Sequence, residues 1–235
     1  MYQALRATAG LVALGLTATA APLRAQFTLT FEGLKDQEAV ESYYNGGSGS
    51  LGSTGGANHG VTFSSNALAI IRGNAGGNGN FGDEPSPNTV LYFLTGNAAT
   101  LNYAAGFTTG FSFYYSAAFQ PGSIGVFDGV DGTGNLLATL DLPSTPNGAV
   151  SGCSNNPGAN YCPFVPIGVA FAGTARSINF GGTVNRIGFD NVTFGSVTPM
   201  PPVPEPQTVA LVGAGLLALG GAAARHRRAV SAASA

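Results

Sequence analysis

The chain has 235 residues, a net charge of −2 and only 9% charged side chains, with 36 glycines, two cysteines and no tryptophan. Between residues 26 and 203, ten acids face four bases, a net −6 whose sign is opposite to what phosphate neutralisation requires, which argues against a nucleic acid partner. Polarity comes from Asn, Ser and Thr rather than from charged helical faces, which suits a β-rich surface module.

The N-terminus reads as a secretory signal peptide over 1–25. Arg6 leads an apolar run from Ala7 to Ala21, followed by small residues before Gln26. Cleavage after Ala25 fits, and so does cleavage after Ala20, behind Ala18-Thr19-Ala20. The span 26–197 is then one domain, large enough to bury its own core.

Within that span, short runs of β-branched and aromatic residues alternate with Gly, Asn, Asp and Pro clusters. Strands are predicted near 27–32, 61–65, 67–71, 89–94, 99–103, 111–116, 123–128, 135–140, 164–171, 176–181 and 186–194. Phe111, Phe113 and Tyr115 share one face by period 2, with Ser112, Tyr114 and Ser116 on the other. Asp128-Gly129-Val130-Asp131-Gly132-Thr133-Gly134-Asn135 supplies the positive-φ residues of a tight hairpin. The fold expected is an all-β, two-sheet sandwich of jelly-roll type, between an N-terminal signal helix and a C-terminal transmembrane helix. Residues 45–60 and 72–88 are long Gly/Asn-rich loops expected along one rim.

Cys153 and Cys162 are the only cysteines. In an oxidising exported compartment they pair in a local disulfide, and neither a CxxC spacing nor nearby histidines suggest redox or metal work.

The last strand is irregular. Ile187 and Phe189 have one parity and Val192 and Phe194 the other, so a bulge near Asp190-Asn191 lets all four enter one core. Apolar residues on both faces would also satisfy the pattern. First and last strands of a jelly roll commonly pair, which brings Glu32 toward Asp190. Two carboxylates meeting in a base-poor chain invite a hard cation with oxygen ligands, so Glu32, Asp190 and Asn191 are candidate calcium ligands. Sandwich-type carbohydrate-binding modules resemble this arrangement, with a structural calcium tying the chain ends together. The alternative is a pair of solvated or hydrogen-bonded strand-end residues.

No catalytic centre is predicted. Gly47–Gly52 and Gly77–Gly82 match GxGxxG, but in a chain this glycine-rich and without a following helix they carry no phosphate chemistry. His59 is the only histidine before the C-terminal tail, and it has no GxSxG partner. Paired carboxylates such as Asp83-Glu84 or Asp128/Asp131 keep a glycoside hydrolase open as an alternative.

The C-terminus carries a sorting signal in its residue order. A Pro-rich linker over 198–206 ends in Pro204-Glu205-Pro206. Residues 207–224 are uncharged and, at 1.5 Å per residue, make roughly 27 Å of helix, enough to cross a bilayer core. Arg225, Arg227 and Arg228 then stop transfer and hold 225–235 in the cytoplasm, with the domain outside. This cassette resembles the PEP-CTERM sorting signal of bacterial exported proteins. The resemblance implies a membrane-embedded exosortase that recognises the Pro-Glu-Pro region and removes the tail. It also implies an inner-membrane intermediate facing the periplasm, and then the cell surface or extracellular matrix. Asn66–Ile70, Asn135–Leu140 and Ile187–Phe194 are similar to stretches of domains that precede such tails. The span is rich in Ala and Gly, which suits a transient signal better than a permanent anchor.

The resemblance further implies association with extracellular polysaccharide and biofilm, so the function expected is that of a non-enzymatic surface or matrix protein in such a layer. The alternative is a carbohydrate-binding module with a structural calcium, presenting aromatics such as Tyr43, Tyr44, Phe81, Tyr92, Tyr114 or Tyr161 beside Asn-rich loops.

Overall fold

The computed structural model describes residues 26–201. The signal peptide over 1–25, the Pro204-Glu205-Pro206 motif, the span over 207–224 and the arginine stop at 225, 227 and 228 lie outside the described residues. Among those described, no helix is long and apolar enough to cross a membrane.

Eleven strands form two antiparallel sheets, a β-sandwich. In chain order they are β1 (Phe27–Leu29), β2 (Thr62–Phe63), β3 (Ala67–Ile71), β4 (Thr89–Phe93), β5 (Ala98–Phe107) and β6 (Phe111–Ser116). There follow β7 (Gly122–Phe127), β8 (Leu136–Leu142), β9 (Val165–Val169), β10 (Ala175–Gly182) and β11 (Gly188–Phe194). One sheet runs β3-β4-β11-β6-β9 with β1 also on β11, and the other runs β2-β5-β10-β7-β8. From β4 to β7 and again from β8 to β11 the chain changes sheet at every step. A short helix α1 (Gly148–Ser151) and two 3-10 turns complete the elements among the described residues.

Alternation explains the packing. Phe111, Phe113 and Tyr115 are all buried, and on β10 Ile178 and Phe180 face the same core. Phe180 meets Phe113 at 5.7 Å and Phe189 at 5.0 Å, both edge-on. Such ring pairs contribute roughly 0.5–1.5 kcal/mol each beyond their buried area, so phenylalanine carries a core that has no tryptophan. The hairpin between β7 and β8 turns through Asp131, Gly132 and Gly134, all at positive φ.

Several strand ends differ from expectation. The first strand stops at Leu29 rather than 32, because Phe31 turns to φ 62° and sends its ring into the core. Its N–H is satisfied by Tyr44 Oη at 2.7 Å, which stabilises the uncommon conformation. The run at 61–65 shrinks to two residues, while β5 extends to Phe107 because β10 continues to pair with it as far as Ala175.

The expected bulge is present. The ladder between β11 and β6 shifts between Asp190 and Thr193, Asn191 adopts φ 48°, and Ile187, Phe189, Val192 and Phe194 are all buried. First and last strands pair, with Leu29 opposite Val192 and Phe27 opposite Phe194.

Candidate functional site

With β6 along one edge of β11, the other edge is divided between two strands. β1 pairs with it at residues 192–194 and β4 at Phe189, and the bulge sits in the gap between them. Thr30–Glu32 leaves β1 toward this gap, and Ser86 enters it just before β4. Asp190 is fully buried; its Oδ2 accepts from Ser86 N at 2.9 Å and Ser86 Oγ at 2.7 Å, and its Oδ1 from Asn191 N at 2.7 Å. Glu32 Oε1 accepts from Asn88 N at 2.9 Å and Thr89 N at 2.8 Å.

Ser86 Oγ also lies 3.0 Å from Thr30 O and 3.2 Å from Glu32 Oε1. One hydroxyl proton therefore faces three acceptors, and can fully satisfy only one of them. Asn191 is 1% exposed, and its Oδ1 has no hydrogen-bond partner among the described residues. Glu32 Oε2 also accepts from Thr89 Oγ1 at 3.3 Å, so each carboxylate oxygen has a donor. What favours a cation or an added proton is two carboxylates sharing one hydroxyl beside the unpartnered Asn191 Oδ1. Burial pushes the Asp190 carboxyl well above its ordinary range and the Glu32 charge adds to this, although hydrogen bonds from Ser86 and Asn191 pull the other way.

The Glu32–Asp190 approach was legible in the sequence, but Ser86 was not. The only local hint was its place between Pro85 and Pro87, which stiffens an otherwise Gly/Asn-rich loop. Among the described residues no group of three or more His, Cys, Asp or Glu gathers around a metal position. Any cation here would thus rest on two carboxylates plus neutral oxygens, a donor set proper to calcium rather than to zinc.

Other candidates land elsewhere. His59 stacks on Phe27 at 4.2 Å, and burial lowers its pKa. Asp83 accepts from Ser154 N and Asn155 N, while Asp128 holds Asn135 through its backbone N and its Nδ2. Glu84 pairs with Arg72 at 2.5 Å. These carboxylates tie loops together. Tyr43 and Tyr44 are core residues rather than stacking platforms, their hydroxyls on Glu32 O and Phe31 N, and Phe81 and Tyr92 are also buried. Tyr114 and Tyr161 are partly buried against a small outer cluster of Phe81, Val90 and Phe164. Cys153 and Cys162 form the expected disulfide.

Residues 202–228 match the PEP-CTERM protein-sorting motif. No curated protein sequence matches the chain. Among solved structures, the K2 cleaved adhesin domain of Lys-gingipain is 12% identical at a TM-score of 0.46, covering 73% of this chain and 100% of that one. A family 6 carbohydrate-binding module is 22% identical at a TM-score of 0.33, covering 57% and 85% respectively. A glycoside hydrolase family 43 arabinoxylan arabinofuranohydrolase from Bacillus subtilis is 20% identical at 0.34, covering 57% of this chain and 25% of that one. Likenesses this distant carry no functional argument.

Proposed function

We propose, from the PEP-CTERM sorting motif that this chain carries at residues 202–228, that it is an exported surface or matrix protein processed by an exosortase. The signal peptide over 1–25 directs export, and the span over 207–224 holds an inner-membrane intermediate with the sandwich in the periplasm. Removal of the tail near Pro204-Glu205-Pro206 then releases the domain to the cell surface or extracellular matrix. There it acts without catalysis, as a structural or adhesive element of an exopolysaccharide layer. The alternation of consecutive strands between sheets supports reading the scaffold as a jelly roll.

The sorting motif is the observation that carries this reading. Mass spectrometry of the surface-associated protein tests it: the C-terminus is expected to end near Pro206, and an intact arginine tail would overturn processing.

A second reading, a carbohydrate-binding module with a structural calcium, is favoured by two carboxylates sharing the Ser86 hydroxyl and by the unpartnered Asn191 Oδ1. Glu32, Asp190 and Asn191 would hold the ion, which would neutralise a buried carboxylate and tie the first strand to the last. A hydrolase reading requires turnover that is lost when one named carboxylate is changed.

A further inference from the structure

On the sheet face turned away from the core, a cleft of about 200 Å³ opens beside β3, β4 and β11. Period 2 builds its floor: Leu91, Phe93 and Phe189 enter the core, so Ile70, Val90, Tyr92 and Gly188 face outward. The loops at 78–81 and 161–164, with Tyr161 partly exposed, and the Asn185-Arg186 turn complete its lining. The volume is below the roughly 300–1,000 Å³ of sites for drug-sized ligands, so it suits one small ring unit rather than an extended segment.

Two groups here lack the partners that similar groups have elsewhere. Lys35 donates to Leu51 O, Arg72 pairs with Glu84, and Arg176 donates to Ala104 O and Asp128 O. Arg186 is exposed, and among the described residues its guanidinium makes no hydrogen bond or ion pair, only a 6.0 Å approach to the ring of Phe119. Phe119, 42% exposed, in turn sits edge-on to Tyr161 at 5.5 Å. Tyr161 Oη is sealed from solvent and has no hydrogen-bond partner among the described residues. Asp36, whose charge reaches Tyr92, is held by Ile71 N and by Asn78 through its N and Nδ2. It is thus occupied within its own loop contacts.

We propose that this cleft binds a single uronic acid unit of an acidic extracellular polysaccharide. Arg186 takes the carboxylate, and the sugar's apolar face packs on the partly exposed Ile70 and Tyr161, which themselves rest on buried Phe81, Val90 and Phe164. The domain's net charge of −6 repels a polyanion at long range, so the anionic sugar is held by local contact with a free guanidinium beside aromatic rings and side-chain amides. The proposal rests on the exopolysaccharide reading, but its test is separate from the C-terminal mass that tests sorting.

Calorimetry on the exported protein, with oligogalacturonate as the probe and a neutral cello-oligosaccharide of equal length as the control, tests it. Saturable binding of the uronate probe is expected, weakened by salt and by at least about tenfold in Arg186→Gln. Gly188→Ala supplies a second arm. Its added methyl would meet Val90 Cγ2 at 3.4 Å and Phe164 at 3.5 Å, ordinary contacts that leave the fold intact while filling the floor. It too is expected to weaken binding, with an unchanged melting temperature. No saturable binding of the uronate, or equal binding of the neutral probe that Arg186→Gln leaves untouched, overturns the proposal whatever the C-terminus shows.

Discussion

Asp190 and Glu32 meet through one hydroxyl: Ser86 Oγ lies 2.7 Å from Asp190 Oδ2 and 3.2 Å from Glu32 Oε1. The bulge at Asp190-Asn191 creates this meeting by opening the ladder where β11 passes from β4 to β1. A buried carboxylate with no basic partner among the described residues costs stability unless something positive joins it.

If the partner is calcium, adding it to chelator-treated protein raises the melting temperature, by the equivalent of about 2.7 kcal/mol at a hundredfold excess over Kd. Asp190→Asn is expected to abolish that response. In chelator the variant should melt below the parent, because the amide has one acceptor oxygen and leaves either Ser86 N or Asn191 N facing its NH2 group. A parent whose melting is indifferent to both chelator and calcium rules the site out.

The pH profile of the calcium-free protein follows from the same carboxyls. Burial raises Asp190 well above its ordinary range, and it raises Glu84 to about 7 against the pull of Arg72 and Asn155. The folded state therefore holds protons that the unfolded chain releases, so stability falls as pH rises from the ordinary carboxyl range through about 7. Glu38 behaves oppositely. Burial pushes it up, but the Ser53 hydroxyl and the backbone N–H groups of Lys35, Ser53 and Leu51 outweigh that and lower it. Its contribution is present above its unfolded value and is lost as pH falls through the lower folded one. Melting in chelator should therefore peak near pH ~5 and decline toward about 7.5, with a second loss below about 4. Calcium should shrink the upper decline. A melting temperature in chelator that is flat or rising between those first two pH values contradicts the assignment.

What the sequence disclosed was local and periodic. Phe111, Phe113 and Tyr115 announced their common face, and the parity change between Phe189 and Val192 announced the bulge. Ser86 could not be found this way, because it reaches Glu32 across 54 residues and Asp190 across 104, from a loop with no period. Arg186 and Phe119 were invisible for the same reason. Tyr43 and Tyr44 belong to the alternative, carbohydrate-binding reading, and the structure places both in the core with their hydroxyls on backbone partners inside.

The rim loops make a last prediction. Arg72 distributes its donors among Asn74 Oδ1 at 2.7 Å, Glu84 Oε1 at 2.5 Å and Asn88 Oδ1 at 2.9 Å, with a Glu84 side chain that is 0% exposed. Asn155, inside the Cys153–Cys162 loop, accepts from Asp83 N through its Oδ1 at 2.7 Å and donates to Glu84 Oε2 at 3.4 Å. The disulfide loop and the 72–88 loop thus brace one another. Above about pH 7, where Glu84 is ionised, Arg72→Met should cost about 3–5 kcal/mol, since it leaves Glu84 buried without its cation, and adding Glu84→Gln should recover part of that. Replacing both cysteines with serine should cost about 2–3 kcal/mol through the freed loop. Because the two regions share contacts, Arg72→Met combined with the cysteine replacement should cost less than the two separate losses together. Urea unfolding of the four proteins in that cycle measures this directly. Strict additivity would show that the loops stand independently, and that the rim is two structures rather than one.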